Sequence, residues 1–309
     1  MTDVLSFDGL PRLQGQRIEI SSGRWLNISH LPGHGAGAAT VVFFCHGGGG
    51  NQDQWRLQWR ALQAQGYSLV AWDLLGHGLS DKPKDPGAYA WDLLVDDYLR
   101  IVERYAGARN LLVGHSFGSG LTLSAAAQWQ VEAPLHGLLL LGSQLQRPLA
   151  NSPLLKLPAW VLELLRSRLA KGFRAAAWHP ETDPQLVAYE EALTRANRLD
   201  VFKALVAGAR WPTLDQLARL APLAPLAQPT QPARPGSAPL AIHILAGETD
   251  GLTPPAAGRA LHEHLPGSQF EVLGCGHQLM LEKPGAVNGH VLALLANGEQ
   301  QRASALRAV

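Results

Sequence analysis

The sequence predicts an α/β fold: a mostly parallel central sheet with helices on both faces and an inserted helical layer over one end. Three observations predict it. Strand-like and helix-like segments alternate along residues 17–141 and again along 240–295. Residues 40–45, Thr-Val-Val-Phe-Phe-Cys, form a β-branched and aromatic run, as in a strand buried on both faces. Residues 143 to about 220 show helical periodicity and almost no strand signal. Alternation of this kind needs crossover connections, which place helices on both faces of a parallel sheet.

Taken in order, 17–20 and 24–29 read as short strands with polar–apolar alternation, and 40–45 as the buried strand. Residues 52–65 read as a helix with Trp55, Trp59 and Leu62 on one stripe. Residues 68–72 are a strand ended by the turn cluster Asp73-Leu-Leu-Gly-His-Gly. Residues 89–105 are a long helix, since Leu94, Tyr98, Ile101, Val102 and Tyr105 recur at spacings of three and four, with Asp92, Asp96, Arg100 and Arg104 opposite. An apolar strand at 110–115, a small-residue helix at 117–130 and a strand at 135–141 follow. After the helical block, residues 221–239 are rich in proline and alanine and read as an extended return segment. Strands at 240–246 and 269–273 and helices at 255–264 and 284–295 complete the alternation, and 297–309 reads as a frayed tail. The expected organisation is a core from 1–142 and 239–309, with 143–238 as a helical lid and its return. There is no internal repeat.

Composition narrows the function. The 309 residues, 46% hydrophobic, suffice for one large core. A formal net charge of +1 leaves no basic excess for phosphates, so no nucleic-acid partner is expected. Two cysteines, Cys45 and Cys275, make no disulfide framework, and free thiols are expected of both. The opening residues have no basic-then-apolar pattern, and no apolar run reaches the ~20 residues that span a bilayer, so the cytoplasm is the expected compartment.

The chemistry centres on Gly114-His-Ser-Phe-Gly, between a strand and a helix. A serine hydroxyl needs exposure, a base and oxyanion donors to act as a nucleophile. A sharp strand-to-helix turn exposes Ser116, and small neighbours two positions away, Gly114 and Gly118, let the chain make that turn. The amide of Phe117 lies at the positive end of the helix. No lysine follows as a phosphate loop would require, and Leu123 stands where a dinucleotide fingerprint needs glycine. On this scaffold the acid precedes the histidine in the chain. Asp250 follows the strand at 240–246 and His277 follows the last strand, so both fall at the carboxyl edge of the sheet with Ser116. Glu248 is the second choice of acid. His46 opens His-Gly-Gly-Gly-Gly, where the second oxyanion donor is expected from the amide of Gly48. His77 and His115 are expected to bond backbone. His262 and His264, two apart on a helix, share no face and make no metal pair. No metal and no cofactor are expected.

These motifs resemble the α/β-hydrolase superfamily across nearly the whole chain. The likeness rests on Cys45-His-Gly-Gly-Gly, Ala71-Trp-Asp-Leu-Leu-Gly-His-Gly-Leu-Ser-Asp, Gly114-His-Ser-Phe-Gly, Gly247-Glu-Thr-Asp and Gly276-His-Gln-Leu-Met-Leu-Glu-Lys-Pro. Within it, the chain looks like the abhydrolase-domain-containing proteins. The resemblance implies the α/β-hydrolase fold and a serine hydrolase with a Ser116–His277–Asp250 triad. A serine nucleophile argues against dehalogenases and epoxide hydrolases, which use aspartate there. Two departures, Trp72 where the family usually has proline and the long proline-rich stretch 221–239, leave the triad untouched.

The expected activity is cleavage of a carboxylic ester, or a thioester, of a small or lipid-like apolar molecule through an acyl-enzyme. Two alternatives stand beside it. Acyl transfer is suggested by Glu282, five residues after His277, although relatives of that type carry aspartate at that spacing. A ligand-binding or scaffold role on a hydrolase fold is the other. Weak membrane-surface contact through the lid is suggested by an apolar helix (Leu154, Leu155, Leu157, Val161, Leu162, Leu164, Leu165, Leu169) accompanied by Lys156, Arg166, Arg168, Lys171 and Arg174 against Glu163 alone.

Overall fold

The computed structural model describes residues 9, 11–130, 134–146, 156–220 and 240–307, the last eleven of these by backbone only. Eight strands form one sheet: β1 (Gln16–Ser21), β2 (Arg24–Leu31), β3 (Thr40–Cys45), β4 (Ser68–Trp72), β5 (Arg109–His115), β6 (Leu135–Leu141), β7 (Ala241–Gly247) and β8 (Gln269–Leu273). Their order is β1-β2-β4-β3-β5-β6-β7-β8. β1–β2 and β2–β4 pair antiparallel; the other neighbours run parallel. β3 is buried along its whole length, as its unbroken apolar run requires.

Period-two alternation splits the core into two faces. Phe43 and Cys45 of β3 point to the face that packs α2 (Trp91–Tyr105) and α3 (Phe117–Ala127). Val42 and Phe44 point to the face that packs α1 (Arg56–Gln63) and α11 (Pro284–Arg307). The remaining core helices are α9 (Pro255–Glu263) and α10 (Leu279–Glu282).

Several helix boundaries differ from the expected ones for local reasons. The segment expected as one helix over 52–65 opens as a 3₁₀ turn, Gln52–Trp55, whose Asp53 amide is capped by the Asn51 side chain. The helix expected from Tyr89 begins at Trp91, because Ala90 is extended (ψ 139°) after a Pro86–Tyr89 turn. The described part of the tail expected to fray is helical: α11 continues to Arg307, through a proline-free run rich in Gln, Arg and Ala.

Between β6 and β7 the described residues are all helix or connection: α4 (Ala159–Leu164), α5 (Arg166–Ala177), α6 (Pro184–Thr194), α7 (Leu199–Gly208) and α8 (Leu214–Ala218). Leu154, Leu155 and the proline-rich stretch 221–239 lie outside the described residues. α4 starts immediately after Pro158, and Leu165 separates it from α5. The inserted helices are anchored to the core by a buried ion pair from Arg56 Nη1 of α1 to Glu190 Oε1 of α6, at 2.7 Å. Tyr189 of α6 donates to Asp53 Oδ2 at 3.1 Å.

Candidate active site

At the end of β5 the chain turns so sharply that Ser116 adopts φ 53°, the single positive φ of a non-glycine residue among those described. Such a conformation is costly for an L-residue and is held by its surroundings. The Ser116 amide donates to Leu141 O at 2.8 Å, and its carbonyl accepts from Ser119 N and Ser119 Oγ. The flanking glycines are sterically required. A Cβ on Gly118 would stand 2.4 Å from His46 O and 2.6 Å from Cys45 O, and one on Gly114 would stand 2.4 Å from Thr122 Oγ1. Ser116 is half-buried, whereas residues 109–115 and 117–126 are buried.

Asp250 and His277 meet as expected. His277 Nδ1 donates to Asp250 Oδ2 at 2.7 Å, and both side chains are almost wholly buried. Asp250 Oδ1 accepts from the amides of Leu252 and Thr253, each at 2.8 Å. Burial opposes ionisation of Asp250, but the bonds from His277 and Thr253 outweigh it and hold the carboxyl below its ordinary value. Glu248, the second choice, is exposed on the same loop. His277 is tied to the Ser116 turn through the residue before that serine. His115 Nε2 donates to His277 O at 2.9 Å, and the two rings lie 4.6 Å apart. Among the described residues no hydrogen bond joins the Ser116 hydroxyl to His277.

The glycine loop after β3 lies against this turn. A Cβ on Gly47 would be 3.1 Å from Ser116 Cβ, and one on Gly48 would be 3.4 Å from Phe117 Cβ. Two of the four glycine amides are committed: Gly50 donates to Gly47 O at 3.0 Å, and Gly49 to His77 Nε2 at 2.9 Å. Gly48 is thus the loop glycine that lies beside Phe117 while its two successors are occupied. Buried His46 pins the loop base, accepting from Leu74 N on Nε2 and donating from Nδ1 to Gly47 O. Because burial disfavours the charged ring, the His46 pKa is lowered and that of His77 falls to about 3.

Four residues escaped sequence reasoning or were read for another role. Thr253 Oγ1 donates to Asp250 Oδ2 at 2.7 Å and sits 3.1 Å from His277 Nδ1, bridging the two side chains. His77 was expected to bond backbone, but not to hold the glycine loop. Asn197, between α6 and α7, donates from Nδ2 to Gly49 O, and Arg166 at the start of α5 donates to Asn197 O at 3.1 Å. Glu282 gathers four donors: His179 N, Thr182 Oγ1, Gly276 N and Gln278 N. The signal for Thr253 was its position three residues past Asp250; for Asn197 no local signal exists. The end of α5 also reaches the site loops, since Gly251 N donates to Ala176 O at 2.8 Å and His277 N to Ala177 O at 2.7 Å. Cys45 and Cys275 are both free and buried; burial raises the Cys275 thiol to about 12, far from a reactive thiolate. Among the described residues no cluster of three or more His, Cys, Asp or Glu could hold a metal ion, and no helix is long and apolar enough to cross a membrane.

An eight-stranded sheet with this order, a strained serine after β5 and an acid–histidine pair after β7 and β8 define a class, and the comparisons agree. The chain belongs to the Alpha/beta hydrolase family, whose model matches residues 42–290. It is 32% identical to Protein ABHD8 of Bos taurus over 187 residues, which are 59% of this chain and 42% of that protein. The chain therefore matches less than half the length of that curated relative. Among solved structures, the esterase EaEST from Exiguobacterium antarcticum matches with a TM-score of 0.72 at 20% identity, over 90% of this chain and 98% of that one. The enol-lactonase from Burkholderia xenovorans LB400 matches with a TM-score of 0.71 at 18% identity, over 90% and 99%. At such identities the structural matches speak for the fold.

Proposed function

We propose that the protein is a serine hydrolase that cleaves carboxylic esters of small or lipid-like apolar molecules, with Ser116 as nucleophile, His277 as base and Asp250 as its orienting acid. The buried 2.7 Å bond from His277 Nδ1 to Asp250 carries the reading. It leaves Nε2 as the proton acceptor and stabilises the imidazolium that forms. Ser116 Oγ attacks the ester carbonyl carbon while His277 takes its proton. The oxyanion settles between the amides of Phe117 and Gly48. Collapse expels the alcohol, which receives the proton from His277 and leaves an acyl group on Ser116. Water, deprotonated by His277, then releases the carboxylic acid and restores the serine. Residues 143–238 act as the lid. Two of their aromatic side chains lie beside the glycine loop and the serine turn and favour an apolar substrate part: Phe202 approaches Gly48, and Trp211 packs 6.0 Å from the ring of Phe117.

Nothing favours acyl transfer over hydrolysis. The four donors gathered by Glu282 give that carboxylate a structural task, binding residues 179–182 to the histidine loop. The deciding experiment is hydrolysis of p-nitrophenyl acyl esters by wild type and Ser116→Ala, with fluorophosphonate labelling in parallel. The variant is expected to lose about 10⁵-fold or more in kcat and to stay unlabelled. Equal rates in the two proteins would overturn the proposal.

A further inference from the structure

α4 and α5 form nearly one helix. Leu165 between them keeps right-handed helical sign (φ −89°, ψ 0°), and bonds from Leu165 N to Val161 O and from Leu169 N to Leu165 O cross the junction. Helical spacing then separates two faces. Leu162, Leu165, Arg166, Leu169 and Ala177 fall on one, which is buried or half-buried except toward Phe173. Trp160, Leu164, Arg168 and Lys171 recur at i, i+4, i+8 and i+11 on the other. All four are exposed, Trp160 by 67% and Leu164 by 77%. Two large apolar side chains thus stand in solvent and are followed on the same stripe by two cations.

The charge on this segment is concentrated. Residues 156–174 carry five cations and one acid, a net of +4 in a chain whose total is +1. Arg166 is paired with Glu163 and Arg174 with Glu191. Among the described residues, Arg168 and Lys171 have no carboxylate partner. An exposed tryptophan and leucine beside unpaired cations match a bilayer interface, where the apolar pair enters the acyl boundary and the cations meet headgroup phosphates. An apolar partner protein would leave the cations without counter-charge.

We infer that the outer stripe of α4 and α5 docks the protein on the surface of an anionic phospholipid bilayer. The inference is independent of the catalytic reading, because it concerns binding alone. α5, which carries Arg168 and Lys171, ends in the carbonyls that receive Gly251 and His277.

The test is co-sedimentation of the full chain with vesicles of phosphatidylcholine alone and of phosphatidylcholine mixed with phosphatidylglycerol. Wild type is expected to bind the mixed vesicles, more weakly at high salt, and to leave the neutral ones largely in solution. Each cation near an anionic surface contributes about a fivefold factor, so Arg168→Gln/Lys171→Gln is expected to lower partitioning about 25-fold. Trp160→Glu/Leu164→Glu is expected to abolish it. All four residues are exposed and outside the proposed machinery, so circular dichroism and hydrolysis of a soluble short-chain ester should match wild type. No binding by wild type, or unchanged binding by both variants, would overturn the inference. So would a stripe that mediates self-association in light scattering without vesicle binding, which would make it an interface between copies.

Discussion

Acid should loosen this protein through His77. Its Nε2 accepts the Gly49 amide at 2.9 Å, so the ring must stay neutral at that nitrogen for the glycine loop to hold. Burial lowers its pKa from 6.5 to about 3. The folded value lies below the unfolded one, so the unfolded chain takes up the proton first as pH falls. The stabilisation is complete above about pH 6.5 and declines steadily toward about pH 3. At about pH 5 the gap from 6.5 is roughly 1.5 units, and at 1.36 kcal/mol per unit the loss from His77 alone is about 2 kcal/mol. His46 and His115, whose pKa values burial also lowers, add to the loss in wild type. Comparison with His77→Gln isolates the one residue, because glutamine keeps an acceptor for Gly49 but does not titrate. Urea unfolding followed by tryptophan fluorescence at about pH 7.5 and about pH 5 measures both proteins. The stability drop in wild type should exceed that in the variant by about 2 kcal/mol. Equal drops would refute the account of His77 as a buried neutral acceptor.

Three further outcomes are expected. Thr253→Val removes the hydroxyl shared by Asp250 and His277 and should lower kcat/KM for a soluble ester about tenfold, with the circular dichroism spectrum unchanged. Asn197→Ala frees Gly49 O from the inserted helices and, under the proposed mechanism, should lower kcat about tenfold with KM nearly unchanged, the sign of a disturbed glycine loop in saturation kinetics. Gly118→Ala drives a methyl into the carbonyls of His46 and Cys45 and should cost about 3 kcal/mol in a urea midpoint measurement, or prevent folding.

Much of the core was legible because its signals are local. The run at 40–45 declares β3, the spacing of Leu94, Tyr98 and Ile101 declares α2, and Gly114-His-Ser-Phe-Gly declares a strained turn because only small residues fit against β3 and α3. The pairing of Asp250 with His277 followed from both lying at strand ends. What stayed hidden depends on contacts between distant residues. Asn197 meets Gly49 across 148 positions, and Glu282 meets Thr182 across 100, so no window of sequence contains either pair. The helix breaks at Ala90 and Leu165 were missed for a different reason: hydrophobic spacing continues through them, and only the backbone angles change. The exposure of Leu164 was likewise invisible, since leucine spacing alone does not say which side of a helix meets the core.

The carbonyls of Ala176 and Ala177 have a bearing on protein engineering. They belong to the inserted helices, yet they receive the amides of Gly251 and His277. A chimera that transplants residues 143–238 from a relative while leaving the recipient's two loops in place would therefore sever the seam at its most sensitive stitch. A viable graft needs a donor backbone that ends its second helix at the same height, or it must bring the acid and histidine loops along as one cassette.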